Sequence, residues 1–196
     1  LYKYYANRGF RVIALASRRF GNIAEDKKLS DTPREELEQG LSFNGLLVFE
    51  CPLREGTTAV LQDLKAAGMF NIMITGDSEL TACAVAVLTG ISQLPRLVLS
   101  VNTKSGNVEW IAENESVHEF RVASVKALAS THMLCVTGSA LDTAIGKPGS
   151  AAFGNVRWFQ YIRVWARCSP ANKETILAGL GQAGCYTLMC GDGTND

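Results

Sequence analysis

The stretch FNIMITGDSELTACAVAVL, residues 70–88, decides the fold class. Its first six residues form an apolar run that predicts a strand, Gly76-Asp77-Ser78 predicts a turn, and residues 78–88 predict a helix. The same order begins again after three more apolar runs, at residues 132–136, 164–167 and 185–190. Strands that alternate with helices predict an α/β protein with a doubly wound parallel sheet, in which ligands bind at the carboxyl ends of the strands.

Other elements are predicted on both sides of this stretch. Residues 10–16 (FRVIALA) and 41–50 (LSFNGLLVFE) predict two strands, and we expect the first to be buried because it is β-branched and largely apolar. Residues 57–67 and 117–130 predict helices. Residues 96–112 predict a hairpin that turns at residues 104–107. Trp110, Trp158 and Trp165 are expected to lie in the core or at an interface.

Composition excludes several classes of protein. The 196 residues are 47% hydrophobic, which is typical of a globular protein rather than a disordered one. The 19 basic and 19 acidic residues cancel, so the chain has no excess positive charge for binding nucleic acid. No run of 18 apolar residues is present. The chain does not begin with Met, and we expect it to be a soluble piece cut at both ends.

The six cysteines show neither metal-ligand nor redox-motif spacing. They are Cys51, Cys83, Cys135, Cys168, Cys185 and Cys190. Most of them lie in apolar runs, so we expect buried free thiols in a reducing compartment.

Three strand ends contain residues suited to phosphate chemistry. Thr75-Gly76-Asp77 offers a hydroxyl and backbone N–H groups at a helix start, although a simple helix cap would have the same residues. Lys173 lies in the first turn of a helix, where its charge opposes the helix dipole unless an anion is near; a solvated lysine is the alternative. Residues 191–196 (GDGTND) place two carboxylates at one strand end, which suits Mg²⁺ better than an ordinary polar turn.

In combination, the three strand ends indicate phosphoryl transfer. A hydroxyl for the phosphate, a lysine to neutralise it and carboxylates for Mg²⁺ are the groups that this reaction needs. An acidic nucleophile in an Asp-x-x-Gly-Thr-like turn is missing from the sequence. Asp142-Thr143 follows a strand but lacks the small, flexible turn expected of one.

The three motifs, in this order, resemble the haloacid-dehalogenase-like superfamily and, within it, the P-type ATPases. Residues 73–77 (MITGD) resemble the family's TGD motif, residues 167–173 (RCSPANK) resemble its R-x-x-P-x-x-K segment, and residues 191–196 match its GDGxND signature. Residues 51–54 (CPLR) stand where most members have Asp-Pro-Pro-Arg. With residues 186–190 (YTLMC), they resemble the A branch of the type V P-type ATPases, found in the endoplasmic reticulum and associated with the removal of misplaced transmembrane helices.

The resemblance implies a role for each matching residue. Thr75, Gly76 and Lys173 would bind the phosphoryl oxygens, and Asn195 would bind the phosphoryl group or waters on the metal. Asp192 and Asp196 would hold Mg²⁺. Arg54 and Asp77 would contact ATP near a hinge between domains.

The resemblance also implies a domain division and an activity. Residues 1–50 would be the end of a nucleotide-binding domain, and residues 51–196 a phosphorylation domain of haloacid-dehalogenase-like fold. The Asp-Lys-Thr-Gly-Thr motif is absent, so the sheet would lack its nucleophile strand and the isolated chain would form no phosphoenzyme. The full protein would couple ATP hydrolysis, through an aspartyl-phosphate, to transport or to transmembrane-helix dislocation, and by family naming it would be cation-transporter-like.

The full protein would also include an actuator domain and a membrane domain, with this chain on the cytosolic face of the endoplasmic reticulum membrane. Two other functions remain open from the sequence. One is a soluble phosphatase of the same superfamily, which would need its own nucleophilic aspartate. The other is a non-catalytic nucleotide-binding module, which would bind Mg-nucleotide without turnover.

Overall fold

A computed structural model describes residues 1–19, 32–146 and 155–191 of the chain. Its α-helices are α1 Tyr2–Ala6, α2 Arg34–Leu37, α3 Thr57–Ala66, α4 Glu79–Leu88, α5 Val125–Leu128, α6 Gly138–Ile145 and α7 Pro170–Gln182. Its strands are β1 Arg11–Ser17, β2 Ser42–Phe49, β3 Met73–Ile74, β4 Arg96–Val101, β5 Val108–Ala112, β6 Val117–Glu119, β7 Met133–Thr137 and β8 Val164–Ala166. Short 3₁₀ helices span Val122–Ser124 and Arg157–Tyr161.

Six strands form one mixed sheet in the order β3-β8-β7-β4-β5-β6. The first four run parallel, with Met73 beside Val164, Cys135 beside Val164, and Leu97 beside Leu134. β4, β5 and β6 are antiparallel. The α/β class and the hairpin at residues 96–112 are therefore confirmed, but the sheet is mixed rather than wholly parallel. A tight turn between β4 and β5 joins antiparallel neighbours directly, whereas parallel neighbours need a crossover connection.

Strand β7 lies at the centre of the packing because both of its faces are covered. All five of its residues are buried. Leu134 and Val136 point into a large cluster with residues of α6 and α7, while Met133 and Cys135 point into a smaller cluster with residues of α4. This is the alternation that a strand between two helical layers requires. The three tryptophans are in the large cluster, which confirms their predicted burial.

The prediction of a last strand at residues 185–190 is wrong. These residues form no ladder with another strand, and Tyr186 and Leu188 are fully exposed. Among the described strands, β3 pairs with β8 alone, which leaves its other edge open. A strand is stable only when its backbone groups pair with a neighbouring strand, and none of the described strands pairs with residues 185–190.

Two other sequence-based predictions need correction. Residues 70–75 are strand only at Met73–Ile74, because β3 has a single neighbour. The helix predicted at residues 117–130 is instead β6, a 3₁₀ turn and the short α5. Residues 117–119 pair with β5 because the β4–β5 hairpin presents a free edge beside them, and pairing outweighs local helix propensity.

The strands of the first 50 residues form a separate two-stranded sheet. β1 and β2 pair antiparallel, with Arg11 beside Phe49 and Ala14 beside Leu46. The predicted burial of the first strand is wrong: Ile13 and Leu15 are each 47% exposed. Apolar side chains become buried only when a second layer covers them, and the described residues supply none here.

The six cysteines differ in burial, and Cys185 is half-buried. Cys83, Cys135 and Cys168 are buried free thiols as predicted, whereas Cys51 and Cys190 are exposed, because both lie in irregular segments that pack against little else. A hydrogen bond with Cys83 and burial raise the pKa of the Cys135 thiol well above its usual value. Within the described parts of the chain, none of the helices combines the length and apolar character needed to cross a membrane.

Candidate functional site

Thr75 begins a tight loop directly after β3. The Asp77 backbone N–H donates to Thr75 Oγ1 at 3.1 Å, which orients the hydroxyl so that its hydrogen can be donated to a ligand. Ser78 caps α4, and its side-chain oxygen accepts from the Thr81 N–H. The helix cap and the proposed phosphate seat are thus formed by different residues of one loop. Gly76, between them, is exposed.

A second loop, after the neighbouring strand β8, is hydrogen-bonded to the first. The Arg167 N–H donates to the Asp77 carbonyl at 2.8 Å, and the Cys168 N–H donates to the Thr75 carbonyl at 3.0 Å. Arg167 has a left-handed backbone with φ 51°, which is uncommon for a residue other than glycine. Strained backbone of this kind is found most often at functional sites, where the surrounding contacts maintain it.

Helix α7 starts from this second loop through a reciprocal cap. Ser169 Oγ accepts from the Asn172 N–H at 3.2 Å, and Asn172 Oδ1 accepts from the Ser169 N–H at 2.9 Å. Pro170 occupies the first turn, where its missing N–H costs nothing. Lys173 follows Asn172 in the first turn, and its N–H donates to the Ser169 carbonyl at 3.1 Å. The cap therefore fixes the backbone from which the Lys173 side chain extends.

Two groups of opposite charge act on the pKa of the Cys168 thiol. Burial raises the pKa of this thiol to about 12; the Lys173 ammonium lowers the pKa and the Asp142 carboxylate raises it. Both charged groups must therefore lie near Cys168. At the edge of the same loop, a hydrogen bond from Arg167 Nε to Glu79 at 2.8 Å raises the pKa of Arg167.

Four of the predicted site residues lie on these two connected loops: Thr75, Gly76, Asp77 and Lys173. Arg54 is exposed in the segment before α3. The recorded ion pair of Asp77 is with Arg11 of β1, at 3.7 Å, rather than with Arg54.

The predicted metal ligands Asp192 and Asp196, together with Asn195, lie outside the described residues. Within the residues that are described, no three acidic, histidine or cysteine side chains are grouped as metal ligands would be. The described donors are a hydroxyl, backbone N–H groups and an ammonium, which suit a phosphate rather than a metal ion.

Sequence reasoning placed Arg167 and Asn172 in the R-x-x-P-x-x-K segment without giving either a role, and it missed Arg11. The Ser-x-x-Asn spacing at Ser169 is a variant of the capping box and was a visible signal for Asn172. Arg11 gave no such signal, because the tertiary structure brings it to Asp77.

Comparison with known proteins identifies the family of these motifs. No known protein-family profile matches the chain. The chain is 36% identical over its whole length to a probable manganese-transporting ATPase of Arabidopsis thaliana, and 36% identical to an endoplasmic reticulum transmembrane helix translocase of Schizosaccharomyces pombe. It covers 16% of each of these proteins. A probable cation-transporting ATPase 13A4 of Gallus gallus is 31% identical over 98% of the chain, and the matched segment is 17% of that protein. The homologues of this chain are therefore P-type ATPases of the type V family, and the chain corresponds to a segment of them.

Proposed function

We propose that the full-length protein hydrolyses ATP through an aspartyl-phosphate and that this chain supplies part of its phosphorylation site. The observation that supports the proposal most directly is the pair of hydrogen bonds from Arg167 and Cys168 to the carbonyls of Asp77 and Thr75. These bonds hold the Thr75 loop against the start of the helix that contains Lys173. They do so at the carboxyl ends of adjacent parallel strands, where α/β proteins bind ligands.

The site residues fall into three sets, which bind the phosphate, the metal ion and the nucleotide. Thr75 and the backbone at Gly76 donate hydrogen bonds to the phosphoryl oxygens, and Lys173 offsets their charge. Asp192 and Asp196 would hold Mg²⁺, which would neutralise negative charge on the phosphoryl group, and Asn195 would contact that group. Asp77 and Arg54 contact the nucleotide. The nucleophilic aspartate comes from outside the chain, since no Asp-Lys-Thr-Gly-Thr motif is present.

The full protein's setting follows from its relatives. The names of these relatives describe helix translocation at the endoplasmic reticulum, and manganese or cation transport. We infer that the full protein is anchored in the endoplasmic reticulum membrane and that hydrolysis is coupled to moving a transmembrane helix or a cation. Residues 51–191 and the motif that follows them would form a haloacid-dehalogenase-like domain, with residues 1–50 as the end of a nucleotide-binding domain.

The test is phosphoenzyme formation from γ-labelled ATP with Mg²⁺ in the full-length protein. We expect acid-stable, hydroxylamine-sensitive label in the wild type and a loss of at least about tenfold in its rate of formation in Lys173→Ala. Lys126→Ala, which removes an exposed lysine from α5, is the matched control and should label normally. Equal labelling of the two variants would refute the role of Lys173.

The isolated chain provides a second test. It should acquire no hydroxylamine-sensitive label, because it lacks the aspartate that would be phosphorylated. Label on the isolated chain would contradict the proposal that the nucleophile lies elsewhere. Binding of Mg-ATP by the full-length protein without any turnover would instead favour a nucleotide-binding module.

A further inference from the structure

Asn172 is a buried polar side chain at the base of the proposed phosphate site. It is 6% exposed, and its carboxamide makes hydrogen bonds at both ends. Oδ1 accepts from the Ser169 backbone N–H and from Ser169 Oγ, each at 2.9 Å. Nδ2 donates to the Asp142 carboxylate at 2.7 Å. The side chain thus connects the first turn of α7 to helix α6, 30 residues earlier in the chain.

The orientation of this carboxamide is determined by its partners. A backbone N–H can only donate, so the oxygen of Asn172 must face Ser169. The Nδ2 group must then face α6, where it needs an acceptor because it is buried. Asp142 is that acceptor, and its charge strengthens the bond, in agreement with the short distance.

The two helix starts also fit closely against each other. A side-chain carbon added at Gly138, the first residue of α6, would lie 2.6 Å from Asn172 Oδ1 and 2.6 Å from the Arg167 carbonyl oxygen. Only a glycine permits this approach without movement. The position of Asp142, one turn further along α6, is therefore set relative to the loop that contains Arg167 and Cys168.

We propose that Asp142 is a positioning residue for the phosphate site: it holds Asn172, and through it the first turn of α7, so that Lys173 reaches the phosphate. This inference rests on the proposed function. Without an acceptor at position 142, the buried Nδ2 group loses its partner, and the Asn172 side chain must turn toward water or leave the cap. The Lys173 backbone then shifts, and misplacement of about 1 Å at a reacting group can lower a rate by up to about a hundredfold.

Asp142 also carries a negative charge, which raises the pKa of the Cys168 thiol while the charge of Lys173 lowers it. The two possible roles of Asp142, as a negative charge and as a hydrogen-bond acceptor for Asn172, predict opposite effects of removing its carboxylate. If the carboxylate acted mainly by charge, a neutral residue would strengthen the binding of an anion. If it acts by holding Asn172, Asp142→Asn should keep function, because its side-chain oxygen can still accept, and Asp142→Ala should lose it.

The experiment is a double-mutant cycle in the full-length protein, with orthovanadate as the phosphate probe. The measured quantities are the orthovanadate concentration that halves ATP hydrolysis, kcat, and KM for ATP. We expect Asp142→Ala to raise that concentration and to lower kcat, each by about tenfold, with KM nearly unchanged. Asp142→Asn should stay within about twofold of the wild type. In a Lys173→Ala background, Asp142→Ala should have almost no further effect, because residues that act through one another are not additive.

Glu174→Ala is the matched control. It removes an exposed carboxylate next to Lys173 on the same helix without touching Asn172, and it should behave as the wild type. A thermal melt of each variant monitors folding, and Asp142→Asn tests the inference even if Asp142→Ala unfolds. If Asp142→Asn fails as badly as Asp142→Ala, or if the two effects add in the double mutant, Asp142 is not a positioning residue. If Lys173→Ala itself has no effect on orthovanadate, it is the proposed function that fails.

Discussion

Gly138→Ala should destabilise the protein although alanine is the better helix former. The added methyl group would lie 2.6 Å from the Arg167 carbonyl oxygen, against an ordinary contact distance of at least 3.4 Å. The two helix starts must therefore separate by about 0.8 Å. Overpacking of this kind costs about 1–3 kcal/mol, and the gain in helix propensity, at most about 1 kcal/mol, is smaller at a first helical residue. We expect a net loss of about 1–2 kcal/mol in the free energy of unfolding.

The assay is urea denaturation monitored by tryptophan fluorescence, since Trp110, Trp158 and Trp165 all lie in the core of the six-stranded sheet. Gly181→Ala is the matched control, because no atom lies within 4 Å of the added carbon, and it should raise stability by up to about 1 kcal/mol. Amide NMR shifts at residues 167–173 should change in Gly138→Ala only. If both variants gained stability equally, the close contact between α6 and the Arg167 loop would be refuted.

Three further predictions concern the same region. Gly179→Ala would place a carbon 2.5 Å from the fully buried ring of Phe159 and should cost about 2–3 kcal/mol in the same urea assay; an unchanged midpoint would contradict this packing. Ser169→Ala removes the acceptor for the Asn172 N–H and should cost about 1 kcal/mol, while Ser169→Asp should retain most of it; equal losses would show that the cap is unimportant. The pKa of Cys168, about 12 when folded against 9.0 for an ordinary thiol, means that the unfolded chain releases this proton first as pH rises. Stability should therefore fall between pH 9 and 12, and fall less in Cys168→Ala, and identical slopes in pH-dependent urea melts would refute the shift.

The local sequence correctly predicted the elements whose own sequence preference agrees with their place in the fold. Helix α4, the β4–β5 hairpin and strand β7 follow from periodicity and turn residues. The order of the three motifs was enough to predict the P-type ATPase family, which the relatives confirm.

Tertiary structure decided whatever depends on a partner far along the chain. Residues 185–190 and 10–16 have similar apolar sequences, yet the first forms no strand and the second forms an exposed one. The reason is that a strand needs a neighbouring strand to pair with its backbone and a second layer of structure to cover its side chains. The sequence of the strand itself supplies neither. The same applies to Asn172 and Asp142, whose 2.7 Å hydrogen bond joins residues 30 positions apart. The sequence by itself thus determined the family and most of the local elements, and only the folded chain determined which residues meet, because contact between distant residues is a property of the packed whole.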